Sequence, residues 1–317
     1  MTCFLYDESM TLHIQEGHPE SPQRITSIYE GLKTMGITSL PCRQATWEEV
    51  GQAHSKSYCE RLQMLDGCTD DDRPEIQNDM FLNEHTITAA LTAAGSACQL
   101  VNTILDSGSG SKSGFAIVRP PGHHACHDDC AGFCYINNVM VSAISALVDN
   151  PELKILVVDW DVHYHAGSTD IVRNTDYTAQ QLTVFSIHRY DHQCFYPGDP
   201  MGETGSYLDN RIINKGFNAT RKFIPGDKEY NTALAEFIAE YNGRCGVPDI
   251  IIVSCGFDAA KGDPLGGFIV TPKGYADMTS QLVKFCGKVA LVLEGGYNIS
   301  VIQKCAMACM ESLLHPL

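Results

Sequence analysis

Several short runs in this sequence have the residue types and spacing of a reaction centre. The stretch 154–168, KILVVDWDVHYHAGS, passes from four consecutive apolar residues, Ile155 to Val158, straight into Asp159, Asp161 and His163. An unbroken apolar run of this kind marks a strand buried on both faces of a parallel sheet. Side chains alternate along a strand, so if the extended geometry persists to its carboxyl end, the two carboxylates and the imidazole share one face. Trp160 and Val162 then take the other. Such a set can hold a divalent metal where open α/β sheets bind ligands, outside the carboxyl ends of their strands. A second apolar run, Asp249 to Cys255, leads into Gly256-Phe257-Asp258. Asp258 therefore stands in the same relation to its strand as Asp161 and is the natural third ligand. His123 and His124 follow Arg119-Pro120-Pro121-Gly122, a rigid turn that would present two adjacent imidazoles for proton transfer. Glu294-Gly295-Gly296-Tyr297 closes another apolar run, and its paired glycines let the backbone swing the Tyr297 hydroxyl into a site. The plainer reading, polar residues closing a strand at the surface, fits an isolated Asp-x-His better than it fits Asp-Trp-Asp-Val-His directly after a buried strand.

These groups need strand ends and short loops to hold them, and the rest of the chain supplies the pattern. Strands are expected over Met1–Tyr6, Phe115–Val118, Ile155–Val158, Leu182–His188, Asp249–Cys255 and Val289–Leu293. Helices are expected near Arg24–Leu32, in two pieces of Ala45–Leu65 with a Thr46/Glu49 capping box, and over Asn83–Leu105, Ile136–Val148, Lys228–Asn242 and Val301–Leu314. Alternation of this kind predicts an α/β fold: a doubly wound, mostly parallel sheet flanked by helices. Asp106–Ser113 reads as a turn region and not as a linker, so residues 1–317 are expected to form a single domain. Ala166 and Gly167 read as a loop. Asp66–Asp79 is a polar surface loop carrying Asp70, Asp71 and Asp72, and Asp79 at its end is a weak candidate for a substrate contact. Phe133 beside Gly132 could line a channel or merely pack, and Tyr196 lies in an aromatic loop near a strand end. Arg24, alone in a first helical turn, reads most simply as solvated. Cys126, Cys130 and Cys134 are spaced like a metal cluster but lack the second pair that structural zinc requires. No dinucleotide or phosphate-loop motif is present.

The net charge of −16 and pI near 5.0 argue against a phosphate-tracking nucleic-acid surface and suit a basic substrate. The 14 cysteines are scattered through apolar segments, which fits a reducing compartment better than a disulfide framework. The first residues lack the basic region and apolar core of a signal peptide, and no apolar run approaches a membrane span. A soluble intracellular protein is expected.

Taken together, the motifs resemble the zinc-dependent histone deacetylases of the arginase/deacetylase superfamily, and most closely their class II branch. The resemblance rests on His18-Pro19-Glu20 with Arg24, Arg119 to His124, Gly132-Phe133-Cys134-Tyr135, Asp159 to His163, Gly256 to Asp258, Gly262 to Gly266 and Glu294 to Asn298. It implies that Asp161, His163 and Asp258 bind Zn2+, that His123 and His124 are the acid/base pair with Asp159 orienting His123, and that Tyr297 polarises the amide carbonyl. It implies further that Phe133 and Tyr196, with Gly132, flank an acyl-lysine channel, and that Arg24 lies near an inner path for acetate. Asp159 and Ser186, with the backbone of Asp161, His163 and Ile187, would hold a structural K+. The implied activity is removal of acetyl groups from lysines of histones or other proteins, in the nucleus or cytoplasm, with no direct role for nucleic acid or membrane.

One departure stands out. Relatives follow the metal-binding histidine with His-Gly-Asn or His-Gly-Asp, whereas this chain reads Tyr164-His165-Ala166. The position that would orient His124 thus lacks a hydrogen-bonding side chain, and His165 is an alternative ligand or proton carrier. Two rival functions follow: an acetylpolyamine amidohydrolase with a narrow acidic channel, and a weakly active reader of acyl-lysine or scaffold in a corepressor complex.

Overall fold

The computed structural model of the chain describes residues 2–72 and 79–315. Its strands are β1 (Thr2–Leu5), β2 (Thr38–Leu40), β3 (Ser113–Ala116), β4 (Ile155–Asp159), β5 (Leu182–Arg189), β6 (Gly205–Tyr207), β7 (Ile212–Phe217), β8 (Ile250–Cys255) and β9 (Val289–Leu293). They form one 9-stranded sheet in the order β2-β1-β3-β9-β8-β4-β5-β7-β6. Every neighbouring pair is parallel except β6 with β7. The expected α/β architecture with a mostly parallel sheet is therefore what forms. Ile155 to Val158 and Ile250 to Val253 are fully buried, as central strands covered on both faces must be.

The helices are α1 (Gln23–Lys33), α2 (Trp47–Ala53), α3 (Lys56–Met64), α4 (Thr86–Leu105), α5 (Asn138–Asp149), α6 (Ala166–Arg173), α7 (Asp227–Cys245), α8 (Pro272–Cys286) and α9 (Ile299–Leu314). α2, α4 and α5 pack as one group against the sheet, and α1, α7, α8 and α9 as another. The Thr46/Glu49 capping box opens α2, with both reciprocal bonds made. Three expectations need correction. α4 starts at Thr86 and not Asn83, because the Asn83 side chain accepts the His85 N–H at 3.0 Å and closes a turn first. Ala166 begins a helix where a loop was expected. Residues 171 and 172 of that helix, Ile and Val, are buried, but Gly167, Ser168 and Thr169 mask its period. Finally, α4 has the length and apolarity of a membrane span, with mean hydropathy 1.2, yet 78% of that window is buried within the fold. Of the polar stretch Asp66–Asp79, residues 73–78 lie outside the described residues.

His54, between α2 and α3, ties the helices to the loop that carries the histidine pair. Its Nε2 accepts the Asn137 N–H at 3.0 Å, so Nδ1 bears the proton and donates to the Cys126 carbonyl at 2.8 Å. A charged ring would break the first bond. Burial holds the group down to about 4 from its ordinary 6.5. The unfolded chain therefore binds a proton that the native chain refuses, and the stability involved is fully present above pH 6.5 and is lost as pH falls toward 4. The unfolding free energy from urea titrations is expected to fall through this window. His54→Gln should flatten the slope by up to ~1.4 kcal/mol per pH unit, the contribution of one proton. An unchanged slope would show that His54 is not the group responsible.

Candidate metal centre and channel

Four neighbouring strands, β3, β9, β8 and β4, deliver their carboxyl ends to one place. β4 stops at Asp159 and does not remain extended to His163, as the alternation argument had assumed. Side-chain bonds take over its work: Asp159 Oδ1 accepts the Asp161 N–H and Asp161 Oδ1 accepts the His163 N–H, each at 2.9 Å. This two-residue repeat keeps the carboxylates and imidazole inward while Trp160 and Val162 bury on the other side. Asp258 arrives from the end of β8, with Oδ1 accepting the Val162 N–H at 2.7 Å and Oδ2 lying 3.0 Å from His163 Nδ1. His163 Nδ1 is also 3.1 Å from Asp161 Oδ1. Donor atoms of Asp161, His163 and Asp258 all lie within 4.8 Å of one another. Glycine is required at positions 256 and 295, where a Cβ would collide with these carboxylates. Burial, and then the neighbouring Asp161, push Asp258 up to about 7. Two fully buried carboxylates this close are the natural seat of a dication.

The histidine pair stands beside this set. His123 Nδ1 is 2.9 Å from Asp159 Oδ2, and although burial opposes it, the Asp161 and Asp159 carboxylates raise its pKa well above the ordinary value. Burial, followed by the neighbouring His123 and His163 rings, depresses His124 well below its own. His124 Nδ1 is buried with no hydrogen-bond partner among the described residues. His165 does not partner that nitrogen: its Nε2 is 3.3 Å from Asn214 Oδ1 and its Nδ1 is 3.4 Å from Thr169 Oγ1, and it is not part of the converging donor group.

A cavity of about 350 Å³ opens above these groups. His123, His124, His163 and Tyr297 line it together with Phe133, Phe195, Tyr196, Leu265 and Asp79. Gly132 and Phe133 both have positive φ, 54° and 68°. Any Cβ on Gly132 would strike the His124 ring, so the glycine lets the loop carrying the histidine pair seat against the cavity wall. Asp79 Oδ2 accepts the Gly132 N–H at 3.2 Å. Tyr297 is anchored by its N–H to Asp263 Oδ2 at 2.7 Å, and its ring meets Phe133 edge-on at 6.1 Å. Burial raises its pKa well above 10, so the hydroxyl keeps its proton at neutral pH.

The chain matches the histone deacetylase domain over residues 18–313. It belongs to the histone deacetylase family. It is 37% identical to "Histone deacetylase 5" of Arabidopsis thaliana over 98% of this chain and 48% of that protein. It is 34% identical to "Histone deacetylase clr3" of Schizosaccharomyces pombe, over 98% and 47%. "Polyamine deacetylase HDAC10" of Danio rerio is 33% identical, over 93% and 44%. Among solved structures, the HDA15 HD domain superposes with a TM-score of 0.87 at 34% identity, covering 100% of this chain and 89% of that one. The chain thus spans about half the length of these curated relatives.

Within this deacetylase fold, Arg24 is not a solvated first-turn residue. It is fully buried, donates to Glu20 Oε1 at 2.6 Å, to the Gly296 carbonyl at 2.7 Å and to the Glu294 carbonyl, and lies 5.1 Å from the Tyr297 ring centre. Glu20 also receives Arg119, whose Nη2 is 2.6 Å from Oε2. The Glu20–Arg24 spacing of four is visible in sequence, but Arg119 is 99 residues away. Glu294, which nothing local in the sequence marks, is buried and directly follows β9. Its Oε2 accepts the N–H groups of Gly122 and His123 at 2.6 and 3.1 Å, fixing the loop that carries the histidine pair. Ser186 pairs in register with Asp159 across β4 and β5, its Oγ 2.7 Å from His188 Nδ1, and Ile187 is buried beside it. Cys126, Cys130 and Cys134 form no metal-binding group among the described residues.

Proposed function

We propose that this chain is a metal-dependent deacetylase of acetylated lysines on histones or other proteins, residues 1–317 acting as one catalytic domain. The observation that carries this reading is the convergence of the Asp161/His163/Asp258 donors, the histidine pair and Tyr297 on one end of one apolar-walled cavity. Two carboxylates and one imidazole form a three-ligand set of the kind catalytic zinc sites use, so Zn2+ fits these donors. When bound, zinc supplies Lewis acidity toward the acetyl carbonyl and acidifies water. The residues supply the rest. Two carboxylates largely cancel the charge of the ion, so a protein base is needed, and the neutral His124 with His123 serves as the acid/base pair. Asp159 fixes the His123 tautomer, and Tyr297 donates to the carbonyl oxygen as charge gathers there. Phe133 and Tyr196 flank the methylenes of the acyl-lysine, Asp79 at the rim contacts the substrate, and Arg24 braces the carbonyls of Glu294 and Gly296 near the inner end. We place a structural K+ at the Asp159–Ser186 pairing, with the carbonyl of Ile187 as a further donor.

Among the described residues at the channel rim, Asp79 is the acidic one and Phe195, Tyr196 and Leu265 are apolar or aromatic. This favours a protein lysine over a small polycation. A panel of acyl-lysine peptides and acetylpolyamines, assayed with metal content in parallel, tests the assignment. A higher kcat/KM on acetylpolyamines would replace it with the polyamine reading. Nuclear or cytoplasmic residence and membership of a corepressor complex are part of the same proposal.

The orphaned nitrogen of His124 favours slow turnover, because a base works best when its other ring nitrogen donates to a fixed acceptor. Ala166→Asn is expected to raise kcat without greatly changing KM, and conversion of Tyr164-His165-Ala166 to His-Gly-Asn to raise it further. Steady-state kinetics decide. If Ala166→Asn leaves kcat unchanged or lowers it while His165→Ala is damaging, the account of a weakened relay is wrong.

A further inference from the structure

Three consecutive residues other than glycine, Asp191, His192 and Gln193, have positive φ of 47°, 53° and 68°. L-residues adopt this left-handed conformation at an energetic cost, so surrounding bonds must impose it. Arg189, the last residue of β5, imposes much of it: Nε donates to Asp191 Oδ2 at 2.7 Å and Nη2 lies 2.6 Å from the same oxygen. Asp191 Oδ1 accepts the Ala219 N–H at 2.7 Å, and Asn218 Oδ1 accepts the His192 N–H at 2.8 Å. The turn feeds directly into Phe195 and Tyr196, which line the channel.

The same guanidinium reaches two further parts of the site. Nη1 donates to the Gly266 carbonyl at 3.0 Å, next to the channel residue Leu265, and the guanidinium carbon lies 4.4 Å from the centre of the Phe195 ring. Phe195 in turn stacks on His163, with centroids 5.1 Å apart and planes 11° from parallel. Five donors in a rigid planar fork can serve Asp191 and Gly266 at once while the face covers an aromatic ring, and an ammonium cannot.

We infer that Arg189 is a positioning residue for this centre: by holding the 191–193 turn, the Phe195 ring and the Gly266 carbonyl together, it fixes the channel wall and the orientation of His163. The channel part of this inference rests on the proposed deacetylase reading, whereas the part concerning His163 does not. Groups that orient a metal-bound imidazole from behind typically change metal affinity or activity 10–100-fold.

The test uses the full chain with Arg189→Met, Arg189→Lys and Phe195→Leu. Three quantities are read: zinc affinity by competition with a chromogenic chelator, the visible absorption bands of the Co2+-substituted protein, and kcat and KM on an acetyl-lysine peptide. Arg189→Met is expected to weaken zinc binding by roughly 10-fold or more, to shift the Co2+ bands, and to raise KM more than it lowers kcat. Arg189→Lys should recover part of each through the Asp191 ion pair. Phe195→Leu, which leaves the turn intact, should reproduce the loss of zinc affinity and the band shift. A merely structural arginine would lower the melting temperature but leave zinc affinity and Co2+ bands of the folded protein at wild-type values, and that result overturns the inference. Wild-type zinc affinity in Phe195→Leu also overturns it. If the wild-type chain turned over no acetyl-lysine peptide, the deacetylase reading would fail, while the zinc and cobalt measurements would still decide the role of Arg189.

Discussion

Asp258→Ala is expected to lose its metal and, with it, all acetyl-lysine turnover above background. Asp161→Ala is expected to behave in the same way. Among the described residues three protein donors converge at the site, so removal of either carboxylate leaves two and raises the net charge of the occupied site by one. Both effects oppose retention of a dication. The Asp258 side chain also accepts the Val162 N–H at 2.7 Å, and leaving that buried donor unpaired costs about 1–3 kcal/mol. Metal loss must therefore be separated from unfolding. Circular dichroism checks the fold, and Asp258→Asn, which can preserve the bond to Val162 while lacking the charge, isolates the electrostatic part. Elemental analysis of wild type should find one divalent metal per chain, with zinc preferred, although a mixed oxygen and nitrogen set also accepts Fe2+ or Mn2+. One metal per chain in the Asp161→Ala/Asp258→Ala double variant would show that the ligand set is wrong.

The parts of this fold that could be read from sequence are those where burial leaves an unbroken apolar run. β4, β8 and β9 were legible for that reason, and their carboxyl ends located the Asp159 to His163 run, Asp258 and Tyr297. Alternation placed Asp161 and His163 on one side even though the strand ends at Asp159, because side-chain bonds to the backbone continue its two-residue repeat. Signals failed where packing between distant segments decides the outcome. Arg24 carries no mark of burial in its own neighbourhood, and its environment is made by Glu20, by Arg119 and by two carbonyls of the 294–296 turn. Arg189 and Phe195 belong to the site through contacts with Gly266 and His163 that no local pattern contains. β2 and β6 have three residues each, too few for a period to show. α8 is the opposite case, since Thr271 caps it, Pro272 sits in its first turn and Gly287 ends it with φ of 79°. Those are ordinary helix signals, carried in full by the sequence itself.

Tyr297→Phe removes one hydroxyl and leaves nearly everything else in place. The backbone bond from Tyr297 to Asp263 does not involve the side chain, and the ring contacts with Phe133 and Arg24 survive in phenylalanine. Metal content and the binding of a metal-chelating hydroxamate should therefore match wild type. The loss should fall on kcat. A carbonyl oxygen gains negative charge when attacked, and a pre-positioned donor helps more in that state than in the ground state, so removing one costs roughly 10²–10³ in rate. Because burial holds the Tyr297 pKa well above 10, the hydroxyl remains a donor throughout the neutral range. The ratio of wild-type to variant kcat is accordingly expected to be flat between pH 6 and 9. Steady-state kinetics on an acetyl-lysine peptide across that range decide the matter. A variant turning over at the wild-type rate would exclude Tyr297 from catalysis. A loss that appears in KM with kcat unchanged would make the tyrosine a binding residue, and the charge on the carbonyl oxygen would then have to be met by the metal alone.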